Sequence, residues 1–133
     1  MATIESKKVE VNASPTEVFQ FVHDLRNLKE LLPQDKISEW EGHEDRCSFK
    51  VAGAYKIGLE HKSAEEPTSI VLKASEGSPI DFDLHIALDQ LDGGTAASMV
   101  SNLNVNPFMK MMVEKPLKSL FDYIADQLKA KFG

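Results

Sequence analysis

The sequence predicts an α+β protein in which one long C-terminal helix lies across a face of an antiparallel sheet. Three observations predict it. Apolar residues recur with a helical period over residues 106–133, and with a period of two from residue 35 to residue 105. The connections between the period-two segments are too short to hold crossover helices, so neighbouring strands must run antiparallel.

Taken in order, residues 4–12 alternate weakly and read as an opening strand. Ser14 followed by Glu17 is a capping-box pattern, and Pro15 suits the first helical position. Val18, Phe21, Val22 and Leu25 then form the apolar stripe of a short helix. Asn27 with Glu30 repeats the start signal for a second short helix through Leu31, which Pro33 ends.

Residues 37–41, 47–51, 55–63, 69–75, 80–91 and 95–105 read as six strands. Turn residues separate them at 42–45, Gly53-Ala54, 65–67, 77–79 and Asp92-Gly93-Gly94. The last is a strong hairpin signal, because glycine accepts the positive φ that such turns require. Phe82, Leu84, Ile86 and Leu88 alternate with Asp81, Asp83, His85 and Asp89, so one face of the sheet is apolar and needs a cover.

The C-terminal helix is the element long enough to provide it. Phe108, Met112, Pro116, Leu120, Ile124, Leu128 and Phe132 form one row spaced by four, with Met109, Val113, Leu117, Phe121 and Ala125 beside it. Asn106 is placed to cap its start, Pro107 fits the first turn, and Gly133 follows its end. Pro116 lacks an N–H and is expected to kink or restart the helix.

Composition narrows the function. With 133 residues the chain is expected to form one domain with a proper core. Its net charge of −6, without a basic cluster beyond Lys7-Lys8, argues against nucleic acid as a partner. Cys47 is the single cysteine, which fits a reducing compartment. The first residues lack the apolar core of a signal peptide, and no apolar run approaches the roughly 20 residues of a membrane helix. A cytoplasmic location without membrane insertion is the expectation.

Residues pointing inward from sheet and helix define a candidate cavity for a small hydrophobic molecule. From the sheet they are Trp40, Phe49, Val51, Tyr55, Ile57, Leu59, His61, Leu72, Phe82, Leu84, Ile86, Met99 and Leu103. Met109, Met112, Val113, Pro116, Leu117 and Leu120 come from the helix. The same residues also describe an ordinary close-packed core. Methionines at 109, 111 and 112 favour adaptable contacts at the front of the helix. His61 is the candidate polar contact and the sole candidate acid–base group, with Ser63 and Ser101 expected on its face. His23, His43 and His85 show no metal-ligand spacing, Cys47 reads as a buried thiol, and no nucleotide-binding glycine motif is present, so neither metal nor cofactor is expected.

The N-x-S-P-x-E-V-F run at residues 12–19 and the exit from Asp24 to Pro33, in this element order, resemble the SRPBCC or START-like superfamily. The likeness is to its polyketide cyclase/dehydrase and carbon-monoxide-dehydrogenase-subunit-G-like branches, and it rests on Pro15, Val18, Phe19, Asp24 and Pro33. The resemblance implies a helix-grip fold: a seven-stranded curved antiparallel sheet around the long helix, with two short helices between strands 1 and 2. It also implies binding of lipids, sterols, aromatic polyketides, plant hormones or flavonoids. No catalytic motif is shared. A binder, a cyclase/dehydratase-type enzyme and a protein-interaction module with a filled core all remain open, as does a homodimer.

Overall fold

The computed structural model describes residues 2–51, 55–75 and 80–133, and its chain starts in two strands where one was expected. They are β1 (Ala2–Glu5) and β2 (Val9–Val11), and both pair antiparallel with β8 (Gly94–Leu103). The break falls at Ser6–Lys8 for a local reason. The Ser6 amide donates to the Met99 carbonyl, but the Lys7 amide turns out of the ladder to donate to Asp122 Oδ1 at 2.7 Å.

Helix α1 (Pro15–His23) begins as its capping sequence requires, with Ser14 Oγ accepting the Glu17 amide at 3.2 Å. The next segment, Leu25–Leu31, is a 3₁₀ helix that starts three residues earlier than a cap at Asn27 would place it. Asp24 supplies the cap by accepting the Arg26 amide, and Asn27 instead donates its side-chain amide to the Phe21 carbonyl. Leu25, Leu28 and Leu31 recur every third residue, the spacing that aligns side chains on a 3₁₀ helix, and all three are buried.

The remaining strands are β3 (Ile37–Gly42), β4 (Arg46–Val51), β5 (Tyr55–Glu65), β6 (Ser69–Ala74) and β7 (Phe82–Leu91). With β8 they form a sheet in the order β1-β8-β7-β6-β5-β4-β3, antiparallel throughout, with β2 continuing along β8 beside β1. Eight strands thus occupy the seven lanes expected. The turns expected at Gly53-Ala54 and 77–79 lie outside the described residues. At the β7–β8 hairpin Leu91 pairs with Gly94, and Gly93 takes φ 82°. The β3 edge bulges between Ser38 and Glu41, with Glu39 at φ 52°; such bulges discourage pairing with a further strand.

Helix α2 (Pro107–Phe132) runs 26 residues, and it continues through Pro116 rather than restarting there. Its buried side is Val113, Leu117, Leu120, Phe121, Ile124, Ala125 and Leu128. The row spaced by four does not stay inside. A step of four residues overshoots a 3.6-residue turn by about 40°, so a long row of fours winds around the helix. Leu120, Ile124 and Leu128 face the sheet, whereas Phe108 at the far end of that row is 70% exposed. Asn106 Oδ1 accepts the Met109 amide at 2.8 Å and secures the front end. Asn106→Ala is expected to cost about 1 kcal/mol in urea unfolding, with little change in the slope.

Candidate functional site

Alternate residues of β4 to β8 point at α2, and the 3₁₀ segment closes one end of the space between them. What they enclose, among the described residues, is a seam with two small voids. One is about 20 Å³ and is lined by Phe49, Ile57, Leu59, Leu72, Phe82, Leu84, Ile86 and Met99 from the sheet, facing Leu117, Leu120, Phe121, Ile124 and Leu128 of α2. The other, about 10 Å³, lies between Val51, Ile57 and Ile80 on the sheet and Val113, Pro116, Leu117 and Leu120 on the helix. A void of this size is that of a single water, and a wholly apolar lining offers water no hydrogen-bond partner. The sequence leaves open whether the interior is hollow or filled; here the helix and sheet have closed on each other.

The other expected residues stand elsewhere. Leu103 is fully buried in the core without reaching either void. Trp40 is half-buried and stacks on Phe49, ring centroids 6.0 Å apart. Met109 is half-buried against the core, and Met112 is 45% exposed. The side chain of Tyr55 lies outside the described residues. The sequence reading also omitted Val22, Leu25, Leu28 and Leu31, which wall one end of the seam. The three-residue leucine spacing was the available signal for them.

His61 is not in the seam. It follows Ile57 and Leu59 on the same strand face, but at the end that α1 covers. Its ring stacks on His23 with centroids 4.4 Å apart, and Nε2 lies 2.7 Å from the His23 carbonyl, to which it donates. Nδ1 is buried and makes no hydrogen bond. Both rings border an open cleft of about 700 Å³ beside Asp24, Glu44, Asp45 and Glu66, behind α1 rather than under α2. The β5–β6 register shifts between His61 and Ser63, and Ser63 is exposed. Ser101 is buried, with its hydroxyl donating to the Asp83 carbonyl at 2.7 Å.

Electrostatics around the seam are structural. The Arg26 guanidinium holds the Asp24 carboxyl below the usual range and fixes the turn between α1 and the 3₁₀ segment. Burial pushes the Cys47 thiol up to about 12, so it stays protonated and unreactive near neutral pH. Among the described residues no acid or base lines either void. Among the described residues no group of three or more His, Cys, Asp or Glu side chains is placed to hold a metal ion, and no helix is long and apolar enough to cross a membrane.

A family model described as "Polyketide cyclase / dehydrase and lipid transport" matches residues 1–133. The chain belongs to this family. Solved structures agree on the helix-grip fold. A START superfamily protein from Mycobacterium smegmatis superposes with a TM-score of 0.75 at 16% identity, covering 98% of this chain and 96% of that one. XoxI from Bacillus cereus gives 0.75 at 12% identity, over 99% and 96%. Aha1 from Colwellia psychrerythraea, described as a dimer in solution, gives 0.66 at 14% identity, over 99% and 96%. No curated protein matches the sequence of this chain.

Proposed function

We propose that the protein binds a small hydrophobic or aromatic molecule, lipid or polyketide-like, in the seam between α2 and the sheet, in a cytoplasmic setting. The observation that carries this reading is the uneven grip on α2. Its first buried residue is Val113, and residues 107–112 lie half-buried or exposed. Beneath that loosely held front, the seam is lined by apolar side chains alone. A drug-sized ligand needs about 300–1,000 Å³, so its entry requires the front of α2 to lift from Val51, Ile57 and Ile80. Burial supports binding at about 25 cal/mol per Å² of apolar surface.

Native mass spectrometry of the purified protein, followed by titration with a fluorescent fatty acid, tests the proposal. A co-purified apolar molecule, or saturable one-to-one binding, is expected. His61→Ala is expected to leave affinity within about twofold, because that ring lies outside the seam. Absence of both co-purified and titratable ligand would sink the reading. A second reading, a protein-interaction module, is favoured by the close packing of the seam, whose void under Leu117–Leu128 is near 20 Å³. Under that reading, saturating fatty acid leaves the melting temperature unmoved.

A further inference from the structure

The outward face of the first turns of α2 carries an apolar stripe that no described element covers. Phe108 is 70% exposed, Met111 82% and Met112 45%. Together with Lys115 they fall at i, i+3, i+4 and i+7, which places all four on one side of the helix. Val113 and Leu117 on the opposite side are 1% and 4% exposed, so this stretch is apolar both inward and outward.

Charge singles out the same stretch. Residues 107–118 hold Lys110, Lys115 and Lys118 against Glu114 alone, in a protein whose net charge is −6. Lys110 stands 3.8 Å from Glu114 and Lys118 3.2 Å from Asp122, while Lys115 has no ion pair among the described residues. Met111, Glu114, Lys115 and Lys118 also border a groove against Ile4 and Glu5 of β1.

We infer that this face docks peripherally on an anionic lipid surface. Phe108, Met111 and Met112 enter the head-group boundary, and Lys115 on the same face, with Lys118 at its flank, lies against lipid phosphates. A short basic and apolar helix face is the pattern that holds a protein at such a boundary without spanning it. A second copy of the chain fits the patch less well. Three side chains fall far short of the roughly 800 Å² per partner of a stable interface. Two such faces would also bring lysines against lysines. The acidic remainder of the molecule is repelled by an anionic bilayer, which leaves this face as the one that approaches. Docking uses the side of α2 turned away from the seam, so it goes beyond ligand binding and does not depend on a bound ligand.

Co-sedimentation of ligand-free protein with phosphatidylglycerol-containing vesicles and with pure phosphatidylcholine vesicles tests the inference. Binding to the anionic vesicles alone is expected, and its loss at about 1 M salt, where the Debye length is about 3 Å. Lys115→Gln with Lys118→Gln is expected to weaken binding about 30-fold, the factor for two lysines at a charged membrane surface. Phe108→Ser with Met111→Ser is expected to weaken it comparably, with the melting temperature unchanged because both positions face solvent. Equal binding to both vesicle types, unchanged binding by both double variants, or no binding at all would overturn the inference. So would self-association in analytical ultracentrifugation that Phe108→Ser with Met111→Ser abolishes while vesicle binding persists.

Discussion

Replacing Phe49 with alanine is expected to lower the unfolding free energy by about 3–5 kcal/mol, a large part of the 5–15 kcal/mol typical of a domain. Phe49 is 2% exposed, stacks against Trp40 and lines the larger void. Ile57, Leu59, Leu72 and Leu84, which line that void with it, sit on paired strands, so the surroundings collapse only partly and the lost volume stays as a cavity. Urea unfolding measures the loss. A cost below about 1 kcal/mol would mean that the helix does not close over the sheet at Phe49. The variant carries a second readout. Its enlarged space joins the existing void, and if the seam is the ligand site, a small apolar probe such as benzene raises the melting temperature of Phe49→Ala more than that of the unaltered protein.

Gly94→Ala is the other large effect, expected at about 2–3 kcal/mol. A Cβ at Gly94 would drive into the carbonyl oxygen of Val11, which is backbone and fixed by the pairing of Val11 with Thr95. The three-residue β2 would have to leave β8 to make room. Gly93→Ala is the matched control. Gly93 has φ 82° and nothing within 4 Å, so its substitution costs about 1 kcal/mol through the backbone alone. Equal losses from the two variants in parallel urea titrations would refute the close approach of β2 to the hairpin.

Elements whose determinants are local were legible in the sequence. Ser14, Pro15 and Glu17 announce α1, Asn106 and Pro107 announce α2, and Asp92-Gly93 announces the last hairpin; each works through bonds within a few residues. What was missed depends on distant partners. The opening strand breaks because the Lys7 amide finds Asp122, a residue 115 positions away that no local pattern reveals. The start of the 3₁₀ segment is the exception: Asp24 caps it through Arg26, only two residues on, a local signal that the Asn27–Glu30 pattern overshadowed. As with the opening strand, the seam was only half legible. Parity along a strand tells which side chains face in, so Ile57, Leu59, Leu84 and Ile86 follow from it. How far along the sheet the cover reaches does not, and His61 therefore stands behind α1. The helix period was read as rows of four, and about 40° of drift per step carried Phe108 and Met112 round to the outside.

The opening strands bear on synthesis as well as on stability. β1 and β2 have their hydrogen-bonding partners in β8, and Lys7 binds the far half of α2 through Asp122 and Asp126. At roughly 5–20 residues per second, a ribosome takes several seconds to deliver β8 after the first residues emerge. During that interval the leading segment is an unmatched ribbon, and Ser6, Lys7 and Lys8 interrupt its apolar character where it would otherwise be most prone to stick. The sheet is sealed only once β8 has been made and β1 and β2 can pair along it.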